Sequence, residues 1–441
     1  MKIVILNGSP KGDYSVTLHT CLYIKKHYPM HEYEVLNVGK DIKKIEKEPA
    51  HCLEALKGAD LILFSYPVYT FIVPYQLHRF IEIVKESGID LSDKYATQIS
   101  TSKHFYDITA HRFIQDNCSD LGLRYIKGLS ADMDDLTTEQ GRIDAKKFFE
   151  FVCHCMKKGI YEESSVEGES VKGEYKASLA ESEKKSGKET VIVADIAEGD
   201  ESLMAMIEDF RRAYPYPTRL VNIREFKFLG GCISCFSCAK DGTCIYKDGF
   251  DSFLRNEIQT ASSIVFAYSV KDHSMGASFK LYDDRQFCNG HRTVTMGMPM
   301  GYLVSGDLTN EENLRTIMEA RCEVGHNFLC GIAADSKGIE NMAERMVYAL
   351  ENEYVQPKNF YGVGGMKIFR DLIYVMRGIM VADHKFYKKH GIYDFPQKQR
   401  GRMLAMILVG GLMNNKKLKA KMGNSMNEGM IMAYRKVLEE K

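Results

Sequence analysis

Two groups of residues in this chain have types and spacings that could support chemistry, and the first is a candidate anion-binding turn. Residues 7–17 read Asn-Gly-Ser-Pro-Lys-Gly-Asp-Tyr-Ser-Val-Thr and follow an apolar run at residues 2–6. A turn between a strand and a helix offers backbone N–H groups and the helix dipole to an anion, and the hydroxyls of Ser9, Ser15 and Thr17 can converge there. The segment has neither the Walker A nor the G-x-G-x-x-G pattern, so it predicts a site for a monophosphate ester.

The second group is a run of four cysteines, Cys232, Cys235, Cys238 and Cys244, which are spaced C-x2-C-x2-C-x5-C within 13 residues. Structural zinc usually takes two pairs of ligands from separate parts of the chain, because the pairs approach the tetrahedron from different directions. A single compact run with two successive two-residue gaps favours a loop wrapped around a 4Fe-4S cluster, whose corners lie further apart. Zinc, and thiols that are vestigial or form disulfides, stay open as alternatives.

A repeat of alternating strands and helices positions both groups. Five apolar runs in the first part of the chain have counterparts in the second, at residues 2–6 and 190–194, 34–38 and 219–223, 58–66 and 260–268, 95–101 and 292–298, and 123–128 and 326–331. Helical segments alternate with these runs, which is typical of a doubly wound α/β domain with a five-stranded parallel sheet. The sequence therefore predicts two such domains, and the cysteines fall in an insertion between the second and third strands of the second.

Loops at the carboxyl ends of the strands should complete the site of the first domain, since ligands of open parallel sheets bind there. Residues 66–71, Tyr-Pro-Val-Tyr-Thr-Phe, follow the third strand, and residues 101–106, Thr-Ser-Lys-His-Phe-Tyr, follow the fourth. Their backbone amides and aromatic rings suit a flat heterocycle. Packing of the aromatic rings on each other is the alternative interpretation.

The Gly8-Ser9-Pro10-Lys11 turn, residues 66–69 and the five-strand plan resemble the flavodoxin-fold NAD(P)H-dependent FMN reductases over residues 1 to about 155. The resemblance implies FMN as cofactor and NAD(P)H as co-substrate. It implies that the FMN phosphate is bound by Ser9, Lys11, Ser15 and Thr17, and that the flavin ring is flanked by Pro67, Val68, Tyr69, Thr70, Phe71, Thr101 and Ser102. The second domain departs from the pattern, because its first loop carries several carboxylates that would repel a phosphate.

The cysteine run is similar to that of the iron-sulfur flavoproteins, relatives of the FMN reductases that carry a 4Fe-4S cluster. This resemblance implies that Cys232, Cys235, Cys238 and Cys244 are the cluster ligands. In that family the cluster and the flavin loop share one domain, whereas in this chain they lie on successive domains. A cluster could therefore reach the flavin only if the two domains pack as a pseudo-dimer.

The predicted organisation is a flavodoxin-like FMN-binding domain at 1–156, a charged linker at 157–189, a second flavodoxin-like domain with the cysteine cluster at 190–348, and an α-helical C-terminal region at 349–441. Lys271, Asp272, His273, His291 and Arg292 are expected at the ligand edge of the second domain, where they could bind a nicotinamide phosphate or a substrate anion, or simply be solvated. No paired acid and base stands out, so no catalytic residue is predicted.

Composition limits the classes of partner and the compartment. Among the 441 residues, 59 Lys and Arg balance 59 Asp and Glu, which argues against nucleic acid. The apolar run at 403–413 is too short to span a bilayer, and the N-terminus lacks the pattern of a signal peptide. These features predict a cytoplasmic protein with reduced or metal-bound cysteines.

The sequence as a whole predicts an FMN-dependent NAD(P)H oxidoreductase that passes electrons between the flavin and an iron-sulfur cluster to a small-molecule or protein acceptor. One alternative is an NAD(P)H:quinone or flavin reductase with a structural thiol loop. Another is a non-catalytic redox carrier or sensor. The tandem domains are expected to form a pseudo-dimer, and a homo-oligomer remains compatible with this organisation.

Overall fold

The computed structural model describes residues 1–162, 174–395 and 399–413, and it divides the chain into two compact units, Met1–Lys385 and Phe386–Lys441. Within the first unit, residues up to 158 form the first half. Its elements are β1 (Lys2–Asn7), α1 (Val16–His27), β2 (Glu32–Leu36), α2 (Val38–Ile45), α3 (Ala50–Lys57), β3 (Leu61–Pro67), α4 (Tyr75–Glu86), β4 (Tyr95–Ser102), α5 (Asp107–Asp120), β5 (Arg124–Tyr125), β6 (Leu129–Asp132) and α6 (Glu139–Lys158).

The first sheet is parallel and has the strand order β2-β1-β3-β4-β5, with β6 continuing the edge beside β4. This is the order of the flavodoxin-like fold. The apolar runs form its centre because crossover helices cover both faces, so that Ile3, Ile5, Leu61 and Leu63 are all buried. The carboxyl ends of β1, β3 and β4 therefore meet at one edge of the sheet.

The second half begins at residue 190 and repeats this order. Its elements are β7 (Thr190–Ala194), α7 (Glu201–Ala213), β8 (Thr218–Asn222), α8 (Phe250–Phe253), β9 (Ser263–Ser269), α9 (Gly276–Arg285), β10 (Pro299–Ser305), α10 (Glu312–Gly325), β11 (Phe328–Ala333) and α11 (Ser336–Asn352). The second sheet is also parallel, with the order β8-β7-β9-β10-β11. The chain therefore has two five-strand parallel sheets of flavodoxin-like order, as the sequence predicted.

The predicted fourth strand of the second half, residues 292–298, was wrong. Those residues form turns, and the strand is β10, which begins at Pro299. The Thr-Val-Thr alternation suggested a strand, but Val294 is 43% exposed and Gly297 has a φ of +87°. The run from Pro299 is buried throughout and can therefore occupy the middle of the sheet.

The two halves pack against each other through α4 and α9, and through α5 and α10. The contacts repeat in both directions. A Glu82 carboxylate oxygen accepts the backbone N–H of Ala277 at 2.8 Å, and an Asp284 oxygen accepts that of Tyr75, also at 2.8 Å. Such reciprocal pairing is like that between the two subunits of an isologous dimer.

The segment that joins the halves contains residues described only from 174 onward. Residues 174–189 have neither helix nor strand and are mostly exposed, but hydrogen bonds attach part of the segment to α7. The buried carboxylate of Asp209 accepts hydrogen bonds from the Tyr175 hydroxyl at 2.6 Å and from the backbone N–H of Ser178 at 2.8 Å. Residues 163–173 of the predicted linker lie outside the described residues.

The C-terminal region is helical, as predicted, with α12 (Phe360–Val375), α13 (Val381–Lys389) and α14 (Arg400–Met413). Helix α12 packs on α10, and the Tyr106 hydroxyl of the first half donates to the Tyr361 carbonyl at 2.9 Å. In the second unit, α14 exposes an apolar surface that includes Leu404 and Leu408. Residues 396–398 and 414–441 lie outside the description. Among the described helices, none is long and apolar enough to cross a membrane.

Candidate functional site

The turn after β1 is held in shape by its own side chains. Ser15 caps α1, since its hydroxyl accepts the backbone N–H of Leu18 at 3.2 Å. The Asn7 amide donates to the Gly12 carbonyl at 2.9 Å, and the Thr17 hydroxyl lies 2.6 Å from that of Thr101. This last contact joins the turn to the loop after β4, so two of the predicted flavin loops are linked directly.

Helix α2 closes the turn from behind through Gly39. A Cβ at this position would lie 2.4 Å from the carbonyl oxygen of Gly8, which is backbone and cannot swing away. Only glycine permits this approach, because any side chain would push the backbone of residues 8–9 out of place. The shape of the predicted phosphate turn therefore depends on the close approach of helix α2.

The loop after β3 contains two consecutive non-glycine residues in the left-handed region, Thr70 with φ +39° and Phe71 with φ +75°. Such conformations cost of order 1–3 kcal/mol each and persist where the surroundings hold them. The surroundings come from the second half. The Asp284 carboxylate accepts the Thr70 hydroxyl at 2.9 Å, and the buried Lys280 ammonium donates to the Tyr69 carbonyl at 2.9 Å.

The equivalent loop of the second half, after β9, has the same conformation. Asp272 and His273 have φ values of +55° and +57°. The first half holds them, because Asp272 lies 3.1 Å from the Lys85 ammonium and His273 lies 3.1 Å from an Asp120 oxygen. Lys271, Asp272 and His273, predicted at a ligand edge, are therefore part of the contact between the halves.

His273 carries a charge at neutral pH in this contact. Burial by itself lowers the pKa of this side chain, but Asp120 and Glu311 outweigh burial and raise its pKa to about 10. The two carboxylate oxygens lie 3.1 and 3.0 Å from its ring nitrogens. The contact between the halves therefore includes a half-buried imidazolium with an acceptor on each side.

The cysteine loop lies between β8 and β9 and reaches across to the first half. The Gln76 amide of α4 donates to the Cys232 carbonyl at 3.3 Å, and a Cβ on Gly231 would lie 2.6 Å from the Tyr75 ring. The ammonium of Lys11, in the turn after β1, lies 5.4 Å from the centre of the Phe236 ring. The loop thus contacts both α4 and the predicted phosphate turn.

A buried arginine of α9, Arg285, forms hydrogen bonds to this loop. The Arg285 guanidinium is 1% exposed and donates to both carboxylate oxygens of Asp248 at 2.8 Å, and to the Gly230 carbonyl at 2.8 Å. Its Nη2 also lies 3.8 Å from the Cys244 sulfur, and its Cζ lies 4.7 Å from the centre of the Tyr246 ring. The guanidinium therefore places a positive charge beside the Cys244 sulfur.

All twelve cysteines belong to the described residues and are free. Burial raises the pKa of Cys238 to about 11, with the neighbouring Cys244 and Cys235 adding to the shift. The described residues contain no group of three cysteine sulfurs that all lie within 4.8 Å of one another.

The predicted flavin-contacting residues and the four cysteines of the loop line one cavity of about 450 Å³. Its walls include every residue predicted to contact the flavin, namely Ser9, Lys11, Ser15, Thr17, Pro67, Val68, Tyr69, Thr70, Phe71, Thr101 and Ser102. They also include the predicted ligands Cys232, Cys235, Cys238 and Cys244. The first set comes from the first half and the second set from the second half, so the cavity exists only because the halves pack together.

Several lining residues were not predicted from the sequence. Arg285 and Cys288 line the cavity from α9 and the turn that follows it, and Asp383 lines it from α13. His291 and Arg292, which were expected at the ligand edge of the second half, line it as well. Only Cys288 has a chemical type that could have marked it, and its distance of 44 residues from Cys244 hid the relation.

A separate group of possible metal ligands, His78, Glu82 and Asp272, lies buried where the halves meet. Cations already neutralise its carboxylates, because Arg79 lies 2.7 Å from Glu82 and Lys85 lies 3.1 Å from Asp272. A divalent ion would face their repulsion. The group therefore serves as a set of ion pairs between the halves.

The fold and the cavity define an α/β protein with two flavodoxin-like sheets and a shared site. Residues 1–119 match the protein-family model described as "Flavodoxin-like fold". Comparison with curated proteins gave no match.

Several solved structures are similar to part of the chain. An FMN-dependent NADH-azoreductase from Bacillus anthracis strain Ames Ancestor shares 15% identity over 36% of this chain and 98% of its own, with a TM-score of 0.28. An NADH:FMN oxidoreductase in its apo form shares 16% identity over 37% and 92%, with a TM-score of 0.31. An NAD(P)H:quinone oxidoreductase from Methanothermobacter marburgensis shares 14% identity over 37% and 96%, with a TM-score of 0.28.

Proposed function

We propose that this chain is an FMN-dependent NAD(P)H oxidoreductase that passes electrons between the flavin and a 4Fe-4S cluster to an acceptor. The observation that carries the proposal is the shared cavity, where the predicted flavin loops of the first half face the four cysteines of the second. Electron transfer between two cofactors requires that they lie close together, and a cavity common to both provides this proximity.

The residues of the first half would bind and orient the flavin. Backbone N–H groups of the turn after β1 and the N-terminus of α1 suit the phosphate, with Lys11 adding positive charge. The left-handed pair Thr70–Phe71 turns the backbone of the loop after β3 toward the cavity, where its amides and the Tyr69 ring can contact a flat ring system. When bound, the flavin would supply hydride chemistry and the cluster one-electron chemistry.

The residues of the second half would hold the cluster and influence its potential. Cys232, Cys235, Cys238 and Cys244 would be the ligands, and Arg285 would donate an N–H···S hydrogen bond to Cys244 and place a positive charge beside it. Hydrogen bonds to ligand sulfurs and nearby positive charge raise the reduction potential of such clusters. The apolar cavity wall would exclude water from both groups.

We further propose that the second half is a tandem copy of the first that lost the flavin turn and gained the cysteine loop. Glu82 and Asp284, Tyr75 and Ala277, and the two left-handed loop pairs are each 202 positions apart, which supports this origin. The free thiols of all twelve cysteines support a cytoplasmic location.

Rapid mixing with NADH and NADPH under anaerobic conditions tests the proposal. The protein should bleach the flavin absorption with one of the two, and the cluster absorption should then fall. Cys238→Ser should keep the first phase and lose the second, whereas Cys153→Ser, a half-exposed cysteine of α6, should keep both. Flavin bleaching in a protein without iron would instead favour the quinone or flavin reductase with a thiol loop. Failure of both nucleotides to bleach the flavin would favour the carrier or sensor.

A further inference from the structure

The shared cavity extends beyond the predicted cofactor residues into a chamber formed by the second half and the C-terminal helices. The turn at residues 286–295 forms one side, and Phe369, Leu372, Met376 and Met380 form another. Phe369 stacks on Phe105 of the loop after β4, with ring centres 4.3 Å apart. The chamber is therefore continuous with the predicted flavin loops and is mostly apolar and aromatic.

One charged group faces this apolar chamber. The Asp383 side chain is completely buried and lines the cavity, and neither of its carboxylate oxygens has a hydrogen-bond partner among the described residues. Buried carboxylates in proteins are normally paired and hydrogen-bonded, because an unsatisfied charge in an apolar setting is costly. Asp383 therefore has unused capacity to accept a hydrogen bond from something that enters the chamber.

Two basic side chains lie near Asp383 without forming hydrogen bonds to it. His291 Nδ1 lies 3.5 Å from one carboxylate oxygen, and Arg292 Nη1 lies 3.7 Å from the other. Charge-assisted hydrogen bonds to a carboxylate are about 2.7–2.9 Å long, so neither contact fills an acceptor position. The carboxylate can therefore still accept a hydrogen bond from a ligand.

The backbone beside Asp383 is shaped to admit its carboxylate. Gly290 has a φ of +60°, and a Cβ there would lie 2.4 Å from Asp383 Oδ1. Any other residue would collide with the carboxylate and strain the backbone. The position of Asp383 is therefore fixed by the turn that carries His291 and Arg292.

We propose that this chamber binds a neutral, flat, largely apolar molecule with a hydroxyl donor, and that Asp383 accepts the hydrogen bond from that hydroxyl. The aromatic walls suit a ring system. The Asp383 carboxylate would repel an anion and the Arg292 guanidinium would repel a cation, so the chamber favours a neutral donor. The inference rests on the proposed function in one respect, because it makes this ligand the substrate or product that meets the flavin loops.

Isothermal titration with two matched probes tests the chamber. The probes are 2-naphthol, which has the hydroxyl donor, and 2-methoxynaphthalene, in which the donor is blocked. Wild-type protein should bind 2-naphthol about tenfold or more tightly than 2-methoxynaphthalene, as expected for a hydrogen bond to a charged acceptor. Asp383→Asn should reduce this preference to less than about threefold, with binding of 2-methoxynaphthalene unchanged. Asp371→Asn, at an exposed position of α12, should keep the full preference.

Equal affinities for the two probes in the wild-type protein, or a preference that survives in Asp383→Asn, would overturn the proposal. The wild-type comparison decides the matter even where the variant fails to fold. Titrations on the same preparation with and without added FMN separate this inference from the proposed function. A preference for the hydroxyl donor in a protein that binds no FMN would support the chamber proposal and refute the flavin proposal. FMN binding without a preference for the hydroxyl donor would refute the chamber proposal and leave the flavin proposal standing.

Discussion

The buried pair of Lys280 and Asp284 offers the sharpest prediction about how the second half holds the flavin loop of the first. Both side chains are fully buried, and together they bind the Tyr69 carbonyl, the Thr70 hydroxyl and the Tyr75 backbone N–H. Burial raises the pKa of Asp284 even though Lys280 opposes the shift. The pair is therefore costly to bury, and losing both members should cost less than the sum of the two single losses.

The perturbations are Asp284→Asn, Lys280→Met and their combination. Removing one partner of a buried ion pair leaves an uncompensated charge and destabilises by about 3–5 kcal/mol. Each single variant should therefore lose about 3–5 kcal/mol of unfolding free energy, a large part of the 5–15 kcal/mol typical of a domain. The double variant carries no charge at either of the two positions, and its asparagine can still accept the Tyr75 N–H. Its loss should therefore be at least about 2 kcal/mol smaller than the sum of the two single losses.

Urea unfolding followed by circular dichroism measures these losses, and FMN titration of each folded variant measures the effect on the loop. Both single variants should also bind FMN more weakly, because Thr70 loses its partners. The control is Glu340→Gln, whose carboxylate pairs with Lys337 at an exposed surface and should contribute under about 1 kcal/mol. Losses in the double variant equal to the sum of the single losses, or an Asp284→Asn loss no larger than the control, would refute the reasoning.

Three further predictions concern other parts of the site. Gly39→Ala should weaken FMN binding at least about tenfold in a titration, because its Cβ would displace the phosphate turn, whereas Gly58→Ala, with only ordinary contacts, should not. The pKa of His273 is raised to about 10, so its charge stabilises the contact fully below the ordinary value of about 6.5 and is lost as the pH rises through 10. Thermal unfolding between pH 7 and pH 10 should therefore show a steeper loss for the wild type than for His273→Gln. Cys238→Ser should lower the iron content of anaerobically purified protein well below that of Cys153→Ser, and equal iron in the two would count against Cys238 as a ligand.

Local patterns in the sequence were sufficient for much of the fold. The apolar runs that became β1, β3, β7 and β9 are each buried on both faces, and this burial leaves a continuous signature. The strand predicted at residues 292–298 was wrong because a short β-branched stretch at the surface has the same pattern as a strand but is not buried. The adjacent apolar run of β10 begins with Pro299, which obscured its strand character.

The sequence identified only some of the residues that line the site. The phosphate turn and the cysteine run are contiguous motifs, so their residues could be named before their positions were known. Lys280, Arg285 and Asp383 act through contacts with distant parts of the chain. Asp383 faces His291 and Arg292 across more than 90 positions, and nothing in its immediate sequence marks it as buried. Such residues become visible only once the halves and the C-terminal helices are packed together.

The central claim is that one chain holds both FMN and an iron-sulfur cluster in the cavity between its halves. Quantifying FMN, iron and acid-labile sulfide in a single anaerobic preparation of the full chain tests it most directly. The account predicts about one FMN together with about four irons and four sulfides per chain, as a 4Fe-4S cluster requires. A preparation that lacks either FMN or iron after anaerobic reconstitution with both would contradict it.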